Sequence, residues 1–178
     1  MTEPAEAIRQ EIVQAVPGAG TPQEEGLVLE EFVPYLLVRT VGKHTARLRR
    51  RLAPFGLTIV KMRTLGVLSV NDGVQIGELA MHAVVEQSTL SRALDGMERD
   101  GLVVRRVNPE DNRAVRVYMT DKGRALFERI WPFIREAGDE LFRGITEEEK
   151  AAFKATLKKM LANIDEDYRI RQALAAED

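Results

Sequence analysis

The side chains best placed to do chemistry in this chain are hydrogen-bond donors rather than catalytic groups. Residues 87–92 read Gln-Ser-Thr-Leu-Ser-Arg, and a charged turn, Asn108-Pro109-Glu110-Asp111-Asn112-Arg113, follows between two β-like runs. Gln pairs with adenine and Arg with guanine in the major groove, so Gln87 or Arg92 can read a base edge. Ser88, Thr89 and Ser91 suit phosphate oxygens, with the Thr89 methyl available to thymine. The plainer alternative for the three hydroxyls is helix capping and solvent exposure. Arg113 at the turn can enter a minor groove narrowed by A·T pairs. Asp111 has no attractive reason to face DNA and is expected to hold the turn by pairing with Arg113, Arg105 or Arg106. Arg105, Arg106 and Arg116 at the base of the hairpin can reach phosphates. A surface hairpin laced by ion pairs is the competing reading.

Other chemistries find little support. There is no Ser-x-x-Lys, His-Glu-x-x-His, glycine-rich phosphate loop or nucleophile elbow, so no catalytic residue is assigned and an enzyme is not expected. Cysteine is absent, which removes thiolate metal sites and thiol redox sensing. His44 and His82 stand outside any set of ligands at metal spacing, so neither metal nor cofactor is expected. No run approaches the roughly 18 apolar residues of a membrane span, and the acidic start is unlike a signal peptide. The expected setting is the cytoplasm.

The net charge of -2 argues against a nucleic-acid partner only until the charges are mapped. Residues 1–31 hold seven acidic side chains and one basic, whereas residues 32–71 hold eight basic and no acidic ones. Such asymmetry is what a local electrostatic footprint needs. An arginine-rich solvated helix face is the alternative.

The elements that must position these residues follow from periodicity and punctuation. Residues 1–23, rich in Pro and Gly, read as a loose arm with a short helix around Glu6–Val16. A long helix is expected over 24–52, carrying Leu29, Phe32, Val33, Leu36, Leu37, Thr40 and Val41 at helical spacing. Pro54 and Gly56 end it. Thr58 caps a helix to Val70, and Asn71-Asp72-Gly73 makes a turn. A short apolar face at Ile76, Leu79, Ala80 and Ala83 precedes a second helix over 87–100, which buries Leu90, Leu94 and Met97 and closes at Gly101. Leu102–Val107 and Ala114–Met119 alternate as strands. Thr120 caps a helix to Phe142, losing one backbone bond at Pro132, and Thr146 with Glu149 boxes the start of a last helix to Arg171. The expected segments are an arm (1–23), a first dimerisation helix (24–56), a DNA-binding lobe (57–119), C-terminal dimerisation helices (120–172) and a tail (173–178). The long flanking helices carry more apolar surface than the compact centre can cover, which favours a two-fold homodimer over an intramolecular bundle.

Taken as an ordered set, Gly77-Glu78-Leu79-Ala80, residues 87–92, residues 98–103 (Glu-Arg-Asp-Gly-Leu-Val), Asp111-Asn112-Arg113 and Thr120-Asp121-Lys122-Gly123 resemble the MarR family of winged helix-turn-helix transcriptional regulators. The resemblance covers residues 24–172. It implies a mostly α fold with long N- and C-terminal dimerisation helices, a recognition helix and a two-stranded wing. By the same resemblance Asp111 orients the wing and Arg113 probes the minor groove. The implied partner is double-stranded DNA bearing a palindromic operator with A·T-rich flanks. The implied action is a dimeric repressor released by a small aromatic or anionic effector. An activator or dual regulator of the same fold, or a non-DNA-binding adaptor dimer, is the alternative. Tyr35, His44, Arg47, Arg63 and Trp131 are candidates for the effector cleft. Two residues depart from the family pattern: Val84 stands where a small residue is usual in the turn, and Glu86 where Ser or Thr commonly starts the recognition helix.

Overall fold

The structure, a computed structural model, describes residue 26, residues 28–108 and residues 111–174, without the side chains of 108, 111–114 and 166–174. The expected arm and its helix at Glu6–Val16 lie outside the described residues. The chain divides into two compact units at Thr45.

Helix α1 spans Val33–Leu52 rather than starting near residue 24. Residues 29–31 form a turn, and Pro34 takes the second helical position. There its missing amide hydrogen costs nothing, since first-turn amides have no intrahelical partner; a start at residue 24 would have put it mid-helix. Leu29 and Phe32 therefore precede the helix. A 3-10 turn, Ala53–Phe55, closes on Gly56.

Helix α2, Ile59–Val70, begins at Thr58, whose hydroxyl accepts from the Lys61 amide at 3.2 Å. Helix α3 covers Ile76–Ala83 and helix α4 Gln87–Arg99. These three bury one side each, with Leu65, Leu68, Leu79, Leu90, Leu94 and Met97 at the centre of the core. Thr64, also buried, donates its hydroxyl to the Val60 carbonyl at 2.9 Å, so its polarity is satisfied within the helix.

The hairpin consists of β2, Val103–Asn108, and β3, Asp111–Met119. Both strands extend into the stretch expected as a six-residue turn: Asn108 pairs with Asp111, and the register shifts beyond Val107↔Val115. A bulge of this kind absorbs unpaired residues on one strand while pairing resumes past it. A third strand, β1 (Val74–Gln75), pairs antiparallel with β3, giving the order β1-β3-β2. Two residues are too few to show an alternation, so the expected two-stranded wing is a three-stranded sheet at its base.

Helix α5, Asp121–Leu141, starts at Thr120, which accepts from the Gly123 amide at 3.0 Å, and it continues through Pro132. Gly123 is buried where a Cβ would run into the Leu102 carbonyl, so only glycine lets the helix start this close to the end of α4. Helix α6, Glu147–Leu174, opens with the expected capping box: the Thr146 amide donates to Glu149 at 2.8 Å and the Glu149 amide to the Thr146 hydroxyl at 3.2 Å. No single described helix is long and apolar enough to cross a membrane.

Candidate nucleic-acid interface

Helix α4 separates its faces cleanly. Leu90, Leu94 and Met97 are fully buried, while Gln87, Ser88, Thr89 and Arg92 are exposed and Ser91 is half-buried. The polar side chains gather at the N-terminal end. Leu90 is the first of the helix to bond back, donating to the Glu86 carbonyl at 2.9 Å. The amides before it have no partner of that kind, and with the positive end of the helix dipole they suit an anion. Glu86 makes no side-chain cap. This leaves the amides uncovered, in keeping with the departure noted at that position.

The turn leading into α4 carries the other departure. Val84 sits at φ 53, ψ 59, the one left-handed non-glycine among the described residues. Its amide donates to the Met81 carbonyl and that of Val85 to Ala80, both at 3.1 Å. These are the paired bonds of a Schellman motif, which usually places glycine at this site. The end of α4 shows the usual version: Gly101 at φ 69, with Gly101 donating to Glu98 and Leu102 to Met97. The tight turn is thus kept with valine bearing the strain. Arg63, expected in an effector cleft, reaches across from α2 and donates to the Ala83 and Val84 carbonyls at 3.4 and 3.3 Å.

The wing is bound to α4 by Arg105. Its backbone amide donates to Glu98 at 3.0 Å, its Nε and Nη2 to Glu98 Oε2 at 2.9 and 2.7 Å, and Nη2 also lies 2.8 Å from Asp95. These bonds to Arg105 hold the Glu98 carboxyl below its ordinary pKa, and Glu98 in turn raises that of Arg105. Arg106 and Arg116 face each other across the strands, a like-charge pairing that is costly unless the charges part. Each has its own neighbour here: Arg116 donates to the Gly73 carbonyl at 2.8 Å, and Arg106 lies 5.1 Å from the Tyr118 ring centre. Of the three arginines expected at phosphates, Arg105 and Arg116 therefore have intramolecular partners, and Arg106 is the exposed one. The side chains of Asp111 and Arg113 lie outside the described residues.

Sequence reasoning missed Asp95 and Glu98 as anchors of the wing, as well as Lys61, whose ammonium lies 2.8 Å from Asp100 at the far end of α4. Lys61 holds the Asp100 carboxyl below its ordinary pKa. Glu98 and Arg105 flank the Gly101 cap, and that spacing was the signal available.

The candidate effector residues have the following neighbours. Tyr35 accepts from Arg39 at 3.4 Å, and His44 is half-buried on α1. Arg47 pairs with Glu140 at 3.1 Å, beside Arg51, which bridges Glu140 and Glu136. Trp131 lies against Phe127 and lines a cavity to which neither Arg47 nor Arg63 contributes. His82 has one carboxylate, Glu78, at 3.8 Å, and no group of three potential metal ligands occurs among the described residues.

Comparison with known proteins agrees with this geometry. A model of the MarR family matches residues 55–114. A MarR family regulator from Silicibacter pomeroyi is 51% identical with a TM-score of 0.73, over 79% of this chain and 94% of that one. The S. aureus MepR–DNA complex superposes with a TM-score of 0.67 at 28% identity, covering 74% of this chain and 98% of that one. The HTH-type transcriptional repressor IacR of Pseudomonas putida is 30% identical over 144 residues, 81% of this chain and 86% of its own length. With its helix-turn-helix, its wing and its flanking long helices, the chain belongs to the MarR family of winged helix-turn-helix transcriptional regulators.

Proposed function

We propose that the protein is a dimeric repressor that reads an inverted repeat in double-stranded DNA and is released by a small aromatic or anionic effector. The observation that carries the reading is the leading end of α4, where Gln87, Ser88, Thr89 and Arg92 project from a helix anchored by a buried apolar face. A helix of that width enters the major groove, with Gln87 or Arg92 at base edges and the hydroxyls at phosphates. Arg113 serves the minor groove, held by Asp111, and Arg106 the backbone. Arg105 and Arg116 fix the wing rather than touch DNA, because their guanidinium groups are committed within the fold.

The dimer is supported by large apolar side chains that stand exposed among the described residues: Val33, Val38 and Val41 on α1, and Phe153, Leu161 and Ile164 on α6. Two copies set the spacing of two recognition helices, about one DNA turn apart or a multiple of it. An effector acts by binding the free and DNA-bound geometries unequally.

The test compares single variants on an array of operator duplexes. Replacing a base-reading residue, Gln87→Ala or Arg92→Ala, is expected to cost about 1–3 kcal/mol and relax preference at one base position per half-site. Ser88→Ala is expected to weaken all duplexes alike. Uniform losses from all three variants would refute base reading by α4.

A further inference from the structure

A cavity of 490 Å³ opens between α2 and α5, lined by Gly66, Ser69 and Val70 on one helix and Phe127, Glu128 and Trp131 on the other. The spacing places each trio on one face of its helix. Phe127 and Trp131 have centroids 5.9 Å apart and planes tilted by 40°, so they form an angled aromatic wall. Gly66 adds no side chain beside it; a Cβ there would touch the Phe127 ring at an ordinary 3.8 Å, so the glycine leaves room rather than relieving a clash. The volume falls in the range of about 300–1,000 Å³ typical of small-molecule sites.

The polar groups of the lining all accept. Ser69 spends its hydroxyl proton on the Gly66 carbonyl at 2.7 Å and offers only lone pairs to the cavity. Glu128 is a carboxylate, an acceptor with a negative charge. Neither lysine nor arginine lines the cavity among the described residues. Arg63, one turn before Gly66 on α2, is engaged by the carbonyls of Ala83 and Val84. An aromatic carboxylate placed here would meet a like charge and no side-chain donor among the described lining residues. An ammonium or ring N–H would donate to Glu128 while its aromatic body lay against Phe127 and Trp131, and a cation would also be attracted to the ring faces.

We propose that this cavity binds a flat aromatic ligand carrying a cationic or N–H donor group and discriminates against aromatic carboxylates. Only the ligand's role as an effector rests on the regulator reading above; its binding does not.

Trp131 is the sole tryptophan of the chain, so intrinsic fluorescence reports on this cavity without a label. The full chain is titrated with 2-phenylethylamine and with 3-phenylpropionate, which share a ring and a two-carbon linker and differ in charge. The amine is expected to change Trp131 emission saturably, with affinity about tenfold or more above the carboxylate, the worth of one charge-assisted hydrogen bond. Glu128→Gln, at an exposed position, is expected to remove most of that preference. Equal or tighter binding of the carboxylate, a preference unchanged in Glu128→Gln, or no saturable change with either probe overturns the assignment. Duplex binding measured on the same samples keeps the two readings apart. Lost amine selectivity with intact salt-dependent duplex binding sinks the cavity alone, whereas intact selectivity without duplex binding sinks the regulator reading alone.

Discussion

Val84 is the point at which this chain pays for its turn, and substitution there gives a signed, ranked expectation. A β-branched residue held in the left-handed region is disfavoured by roughly 1–2 kcal/mol, because its Cβ crowds the following carbonyl. Asparagine tolerates that conformation. Val84 is 75% exposed, so removing its side chain forfeits about a quarter of the roughly 1.5–3 kcal/mol that full burial contributes, or about 0.5 kcal/mol. Val84→Asn should therefore stabilise the fold by about 0.5–1.5 kcal/mol. For a chain of 178 residues this corresponds to a rise of roughly 1–6 °C in Tm, at about 2–4 °C per kcal/mol. Val84→Gly relieves the same strain but adds freedom to the unfolded chain, which costs about 0.4–1 kcal/mol, so it should lie between valine and asparagine. Thermal and urea unfolding at fixed protein concentration measure the order, since a dimer's midpoint moves with concentration. If asparagine comes out below valine, the turn is not strained and the Schellman geometry at Val84 is wrong.

Other expectations follow from contacts around the wing. Arg105→Ala should weaken duplex binding without lowering the slope of affinity against salt, since a phosphate contact carries about one unit of slope and a positioning residue none. The exchanged pair Glu98→Arg with Arg105→Glu should recover part of the loss, and no recovery combined with a reduced slope would instead make Arg105 a phosphate contact. The depressed carboxyls of Glu98 and Asp100 contribute stability above their ordinary values of 4.5 and 3.8, and it is lost as pH falls through the lower folded values. Glu98→Gln should flatten the acid limb of a plot of urea midpoint against pH, and an unchanged limb would show the pair to be idle. Gly123→Ala should destabilise by about 1–3 kcal/mol, because the helix start must move away from the Leu102 carbonyl; urea unfolding reads this, and a neutral result would mean that the approach is not tight.

Legibility in the sequence followed the range of the interaction. Thr58, Thr120, the Thr146–Glu149 box and Gly101 are local signals, each resolved within a few residues, and all act in the structure as their types suggest. The buried face of α4 was readable for the same reason, since helical period alone selects Leu90, Leu94 and Met97. Pro34 marked the start of α1 equally locally, but the apolar period running through Leu29 and Phe32 concealed it. What stayed hidden depends on tertiary approach. Arg105 meets Glu98 and Asp95 because the Gly101 cap folds β2 back along α4. Arg63 finds two carbonyls of a turn some 20 residues away in sequence, and β1 exists only because β3 offers it an edge.

Specific reading of duplex DNA by a dimer is met most directly by one measurement: selection of bound duplexes from a random pool, followed by titration of the enriched sequence against salt. The expected result is an inverted repeat with half-sites about one helical turn apart or a multiple of it, bound by one dimer, with affinity falling steeply as salt displaces the phosphate contacts. A pool that enriches no repeat, with binding absent or indifferent to salt, would contradict it.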